Sequence, residues 1–213
     1  MRVKNAVALC IAMLVLALSP AAAKELSLDS VCADLTAYKV TSGSFVQQRF
    51  APHIKRPLTS GGSFVICDMG IAWKTDRPFS SLLAVSRDKI IQTAPDGKKT
   101  VIDGSGNPTF KNIAGTLATL FSGDKTALEE SFYTSFSSDD ADNGEWAVVL
   151  VPKDSTIASA LKKIILEGTS GEESFINAVS IEEQNDARIV YSFSEQMHKN
   201  ALSDDEKAYF SAR

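Results

Sequence analysis

Histidine and cysteine are the side chains best suited to chemistry at neutral pH, and this sequence carries few of either. The two histidines are His53 and His198. His53 stands beside Pro52 in a loop, and His198 follows an alternating segment. Both read as solvated loop side chains, too few to build a zinc site with its supporting hydrogen bonds. The three cysteines are Cys10, Cys32 and Cys67, and none has the C-x-x-C spacing of dithiol redox chemistry. Cys32 and Cys67 could form one disulfide in an oxidising compartment, or lie apart as two small buried hydrophobes. The Gly/Ser clusters at 60–63, 104–106 and 168–171 do not spell the G-x-S-x-G of a nucleophile elbow. No glycine-rich phosphate cradle follows a strand and opens a helix. Carboxylates are scattered, and nothing singles out a catalytic pair. The expectation is a protein with no catalytic residues, no metal site and no cofactor.

The elements that would position any site are mostly strands. Residues 25–40 read as one amphipathic helix, with Leu28, Val31, Cys32, Leu35 and Tyr38 at three- and four-residue steps, capped by Ser27 or Asp29 and ended by Thr41-Ser42-Gly43. Alternation then marks strands at 44–50, 62–67, 71–74, 81–86, 89–93 and 98–102, the last pair joined through Pro95-Asp96-Gly97. Phe110, Ile113, Leu117, Leu120 and Phe121 give a short apolar helix over 109–122, suited to plug or cover a cavity or to serve as an ordinary core helix. A second short helix is possible at 124–131, and 132–136 alternates weakly. Strands return at 146–152, 163–167, 175–181 and 189–193; 155–163 reads as either a helical turn or a strand, and 203–211 as helical or loose. The fold class is α+β, mainly β: one antiparallel sheet with two or three helices.

Residues 1–23 have the form of a cleavable export signal. Arg2 and Lys4 precede an apolar run from Ala6 to Leu18, Pro20 breaks it, and Ala21-Ala22-Ala23 supplies small residues for cleavage. The run is shorter than the ~20 residues that span a bilayer. Two of the 22 cations and none of the 26 anions lie in this leader, so the net charge of −4 becomes −6 for residues 24–213. A mildly acidic surface argues against nucleic acid or an anionic membrane as the main partner. An exported, strand-rich domain without catalytic groups is expected to bind, carry or assemble, working in the periplasm as a monomer.

Several segments carry a resemblance. Gly43-Ser44-Phe45-Val46-Gln47-Gln48-Arg49-Phe50 resembles the "S-F-x-Q-x" strand after the first helix of the periplasmic LolA lipoprotein carriers. Gly62-Ser63-Phe64-Val65 is similar to that family's next strand. Gly70 to Pro78 (GIAWKTDRP) is similar to its "W-x-x-x-x-P" step. The likeness covers residues 43–97 in motif and most of the remainder in pattern. It implies an unclosed β-barrel with helices as a lid or plug, whose apolar interior holds acyl chains in transit. The implied partners are a lipidated protein or another acylated molecule, an inner-membrane donor and an outer-membrane acceptor. On that basis the expected lipid-binding residues are Phe45, Phe64, Ile66, Ile71, Trp73, Leu83, Val85, Ile113, Leu117, Phe121 and Trp146. One departure stands out. The carriers place a latch arginine before their "F-x-W", whereas this chain has Cys67-Asp68-Met69-Gly70 there. The Arg56-Pro57 pair lies ahead of the second strand. The pattern resembles a divergent branch of LolA-like proteins that accompanies lipid or polyene assembly systems. Two further readings stay open: an envelope adaptor that docks through its sheet edge, and an acyl hydrolase built on the two histidines.

Overall fold

Apolar residues on a sheet face need a second layer, and here the chain supplies it on both faces with short helices. The computed structural model describes residues 26–86, 89–103, 124–139 and 144–211. The expected leader at 1–23 and the expected helix at 109–122 lie outside the described residues. Helix α1 (Leu28–Thr36) opens on a capping box between Ser27 and Ser30. It ends four residues earlier than its apolar spacing suggests, because Val40 already begins β1 (Val40–Phe50). Thr41-Ser42-Gly43 therefore belongs to a strand and does not serve as a helix stop.

The strands continue as β2 (Leu58–Cys67), β3 (Gly70–Arg77), β4 (Ser81–Val85), β5 (Lys89–Thr93) and β6 (Lys99–Asp103). After α2 (Lys125–Ser131), capped by Asp124, come β7 (Phe132–Ser138) and β8 (Glu145–Pro152). The ambiguous stretch at 155–163 holds both forms in sequence: α3 (Ser155–Ala160) runs straight into β9 (Leu161–Ser170). β10 (Ser174–Glu183), β11 (Arg188–Lys199) and α4 (Asp204–Tyr209) complete the chain. All eleven strands form one antiparallel sheet in the order β6-β5-β4-β3-β2-β1-β11-β10-β9-β8-β7. β6 and β7 are its two edges, so the curved sheet is an unclosed barrel.

Register assigns the two faces. Phe45 lies opposite Gly62 and Phe193, Phe64 opposite Trp73, and Ile66 opposite Ile71. Trp73 and Ile71 lie opposite Leu83 and Val85. On the other side of β11, the same face continues through Tyr191, Val179, Leu166 and Val148. This is the inner face. α1 packs on its far half, where Val31 and Cys32 join Leu150, Ile164 and Leu166 in one buried cluster. Leu150 is wholly buried, and a side chain of that size contributes about 1.5–3 kcal/mol on burial. The outer face is covered separately. Ala72, Ala84 and Ile91 pack there against Phe210, Tyr209 and Leu202, around α4.

Among the described residues Cys32 and Cys67 are free thiols, so the disulfide left open by the sequence is not formed. Cys32 is buried in the inner cluster, and Cys67 packs against the outer one. Burial pushes the Cys32 thiol up to about 11 and also raises that of Cys67, so both stay protonated at neutral pH.

Two glycines make room for aromatic rings on the inner face. A Cβ on Gly43 would stand 2.9 Å from the Phe64 ring, and one on Gly168 would stand 2.2 Å from the Trp146 ring and 2.3 Å from the Phe175 carbonyl oxygen. Gly168→Val should therefore destabilise the chain by about 2–4 kcal/mol, read as a lower urea midpoint. Gly171→Ala, which meets nothing within 4 Å, should change stability by less than about 0.5 kcal/mol.

Candidate functional site

Seven of the residues expected to line a lipid site are brought together by register. Phe45, Phe64, Ile66, Ile71, Trp73, Leu83 and Val85 share the inner face across β1 to β4. Phe45, Phe64, Ile71 and Val85 are buried, Ile66 and Trp73 are half-buried, and Leu83 is 36% exposed. Ile102, on the same face of β6, is 42% exposed. Trp146 stands apart. It shares the face but sits four strands from β1, folded over Gly168 in the cluster beneath α1. Ile113, Leu117 and Phe121 lie outside the described residues.

Sequence reasoning missed two residues at the centre of this face. Tyr191 and Phe193 of β11 close the gap between β1 and the second half of the sheet. Phe193 meets Phe64 edge-on at 5.0 Å, and Tyr191 lies 6.2 Å from Phe45 and 6.4 Å from Trp73. These centroid separations fall in the range favoured by tilted aromatic pairs. The alternation Ile189, Tyr191, Phe193 was visible as a strand. Its neighbour was not, because β1 and β11 are about 150 residues apart in sequence.

A cavity of about 550 Å³ opens at one end of the face, between the last turn of α1 and the strand ends. Its apolar wall includes Leu35, Ile66, Ile71, Val85, Phe175 and Ile176, and Thr41, Ser174, Gln196 and His198 bring polar atoms to it. A second opening, of about 530 Å³, lies beside Trp146 and is rimmed by Glu145, Glu167 and Asn177. The first is apolar enough to take a hydrocarbon ligand, and its volume suits one small-molecule guest.

His198 is not the solvated side chain its position suggested. It belongs to β11 and forms a wall of the apolar cavity. Its ring stacks flat between Tyr38, at 3.6 Å, and Phe175, at 4.5 Å. Its Nδ1 is hydrogen-bonded to Thr41 Oγ1 at 3.0 Å. The stack ties the segment after α1 to the start of β10. Burial lowers the His198 pKa below its ordinary 6.5, opposed by the nearby Glu173 charge and the Ser174 backbone. His53, in contrast, is an exposed turn residue.

At the opposite end of the face, Arg49 and Glu183 form a bidentate pair, Nη1 to Oε1 at 2.8 Å and Nη2 to Oε2 at 3.0 Å. It spans from β1 across β11 to β10, so it braces the sheet. The segment that would carry a latch arginine, Cys67 to Gly70, is the β2–β3 turn. Among the described residues, no group of three or more His, Cys, Asp and Glu could hold a metal ion, and no helix is long and apolar enough to cross a membrane.

Against known proteins, the family model described as outer membrane lipoprotein carrier protein LolA-like matches residues 20–195. No curated protein matches the sequence. Among solved structures, a DUF1329 family protein from Desulfovibrio piger is similar with a TM-score of 0.50 and 12% identity, over 87% of this chain and 95% of that one. A LolA superfamily protein from Nitrosomonas europaea is 11% identical over 86% of this chain and 97% of its own, with a TM-score of 0.46. The lipoprotein LppX of Mycobacterium tuberculosis is 8% identical over 84% and 99%, with a TM-score of 0.44. At such identities the first of these likenesses is one of fold.

The His198 stack makes a pH prediction. The folded-state pKa lies below the unfolded value, so the unfolded chain takes up the proton first as pH falls. Stability from this group is present above about pH 6.5 and declines as pH drops through that value toward the folded pKa. The urea midpoint of the wild type should fall between about pH 7.5 and 5.5 by more than that of His198→Phe, which keeps the stack without the titration. Equal falls in the two proteins would refute this role.

Proposed function

We propose that this chain, which belongs to the outer membrane lipoprotein carrier protein LolA-like family, carries an acylated client through the periplasm. The client is a lipidated protein or another acylated molecule, taken from an inner-membrane donor and handed to an outer-membrane acceptor. On this reading residues 1–23 are cleaved on export, and residues 24–213 form one carrier domain acting as a monomer. It works as a carrier and not as a catalyst, and it needs no cofactor.

The observation that carries the proposal is the aromatic inner face of β1 to β4, which meets an apolar cavity of about 550 Å³ at its end. Moving a hydrocarbon chain out of water is favourable by about 0.8 kcal/mol per methylene. A chain of about sixteen carbons therefore stands to gain on the order of 10 kcal/mol before ordering costs. That is enough to hold it against water and is recoverable by an acceptor that offers a similar environment. Polar groups at the cavity, Thr41, Ser174 and Gln196, suit the junction between an acyl chain and its headgroup.

Uptake of a fluorescent fatty-acid probe, together with native mass spectrometry of protein purified from the periplasm, tests this. The wild type should bind the probe and retain co-purified lipid. Leu83→Glu places a charge on a half-open part of the inner face and should weaken uptake by tenfold or more, with little change in melting. Absence of both lipid and probe uptake in the wild type would sink the proposal. If function then depended on substitutions in the edge strands β6 and β7, the adaptor reading would replace it.

A further inference from the structure

The end of the sheet away from the cavity has its own chemistry. In an antiparallel meander, alternate connections fall at the same end. Five do so here, and three of them lie side by side in the first half of the chain: residues 51–57 between β1 and β2, 78–80 between β3 and β4, and 94–98 between β5 and β6; 153–160 and 184–187 continue the same end beyond β1. Strands lie ~4.8 Å apart, so the first three turns form a rim roughly 25 Å wide. Phe79 at the second turn is 72% exposed, Leu58 beside the first is 58% exposed, and Ile54 within the first is 43% exposed.

The charges of these three turns are one-sided, whereas Glu182, Glu183 and Asp186 at the neighbouring β10–β11 turn are paired with Lys163, Arg49 and Lys162. Lys55, Arg56, Arg77 and Lys98 are exposed and make no ion pair among the described residues. Lys99 donates to the Ser211 carbonyl oxygen at 3.1 Å, and Lys74 pairs with Asp76 at 3.7 Å. Lys74 lies mid-strand, opposite Ser63 and Leu82, so the three turns carry five cations against two anions, Asp76 and Asp96. The Asp96 carboxylate is engaged by the Lys98 backbone N–H at 2.9 Å. A chain with a net charge of −4 thus concentrates positive charge around three exposed apolar side chains, against the expectation from its net charge.

We propose that this rim docks on the surface of an anionic lipid bilayer, with Phe79, Leu58 and Ile54 entering the headgroup layer and the cations pairing with lipid phosphates. Exposed apolar side chains interspersed with cations along these turns fit a fluid interface, where apolar groups reach the acyl boundary and cations stay among the headgroups. A protein partner would favour an apolar centre depleted of charge, whereas Lys55 and Arg56 stand between Ile54 and Leu58 in the chain and Arg77 two residues before Phe79. The inference goes beyond acyl carriage and does not rest on it, since none of these residues faces the cavity.

Vesicle flotation of the mature chain tests the proposal. The protein should float with vesicles of phosphatidylcholine containing about 30% phosphatidylglycerol and not with phosphatidylcholine alone. Binding should disappear at about 0.5 M salt. Phe79→Ser should weaken it several-fold, and the double substitution Lys55→Glu, Arg56→Glu by tenfold or more, because each cation near an anionic surface contributes about fivefold. These are exposed turn positions, so melting temperature and fatty-acid probe uptake should be unchanged. Equal flotation with both vesicle types, no flotation with either, or unaltered binding by the variants would overturn the proposal. So would capture of the rim by an acidic protein in the absence of vesicle binding. Loss of probe uptake with vesicle binding intact would count against acyl carriage alone.

Discussion

The pairing of β1 with β11 holds the architecture together. Each half of the chain folds as a meander of neighbours, β1 to β6 on one side and β7 to β11 on the other. Such hairpins close short loops and cost little chain entropy. Only the β1–β11 ladder, running from Val40–Lys199 to Phe50–Arg188, joins the two into one sheet. Because side chains alternate with period two, this one register decides whether the apolar faces of the halves form a continuous surface. It does so by placing Phe45 opposite Phe193 and Gln47 opposite Tyr191. A register shift between Ser42 and Ser44, with Glu195 at a φ of 52°, then re-aims the last turns of β11. His198 comes to lie opposite Thr41 as a result, facing the cavity.

An open sheet with two apolar faces has to be covered twice, and the chain does this unequally. α1 lies on the inner face over β8 to β10, where packing is tight enough that a Cβ on Gly168 has no room. The C-terminal segment around α4 lies on the outer face over β3 to β5. The inner face of β1 to β4 is organised differently, by rings that meet at tilted angles 5 to 6.4 Å apart. Edge and tilted pairs fix aromatic side chains relative to each other. That part of the face therefore has a defined surface arising from the sheet itself.

Much of this was legible locally. Alternation located ten of the eleven described strands and weakly marked β7, but it began β1 and β2 four residues late and ended β11 six residues early. Pro95-Asp96-Gly97 gave the β5–β6 turn, where Gly97 adopts a φ of 82°. The motifs from Gly43 to Pro78 pointed to the right family. What escaped were relations between distant segments. Tyr191 and Phe193 looked like any strand residues until β1 lay beside them. His198 looked solvated because the alternation seemed to end at Phe193, and a bulge hides continuation from a period-two reading. The helix end was misplaced for a local reason: Tyr38 keeps helical spacing, while Val40 and Thr41 are β-branched and pair into the sheet. The two cysteines could not be assigned from sequence, since their separation depends on which face of the sheet each one meets.

The same division bears on how substitutions can be read. Phe132, Leu150 and Val31, among the most deeply buried side chains, lie in the cluster under α1, away from β1 to β4. Effects at well-separated sites add, whereas effects within one packed cluster do not. A change at Leu83 or Phe79 therefore acts on a part of the molecule whose removal from water contributes little to the main core. Trp146 is the opposite case. Its ring covers Gly168 within that core, so a loss of ligand binding on replacing it would be inseparable from a loss of packing. Phe45, Phe64, Ile71 and Val85 are as buried as Trp146, so among the described inner-face residues of β1 to β4 it is at Leu83, 36% exposed, that binding and stability come apart.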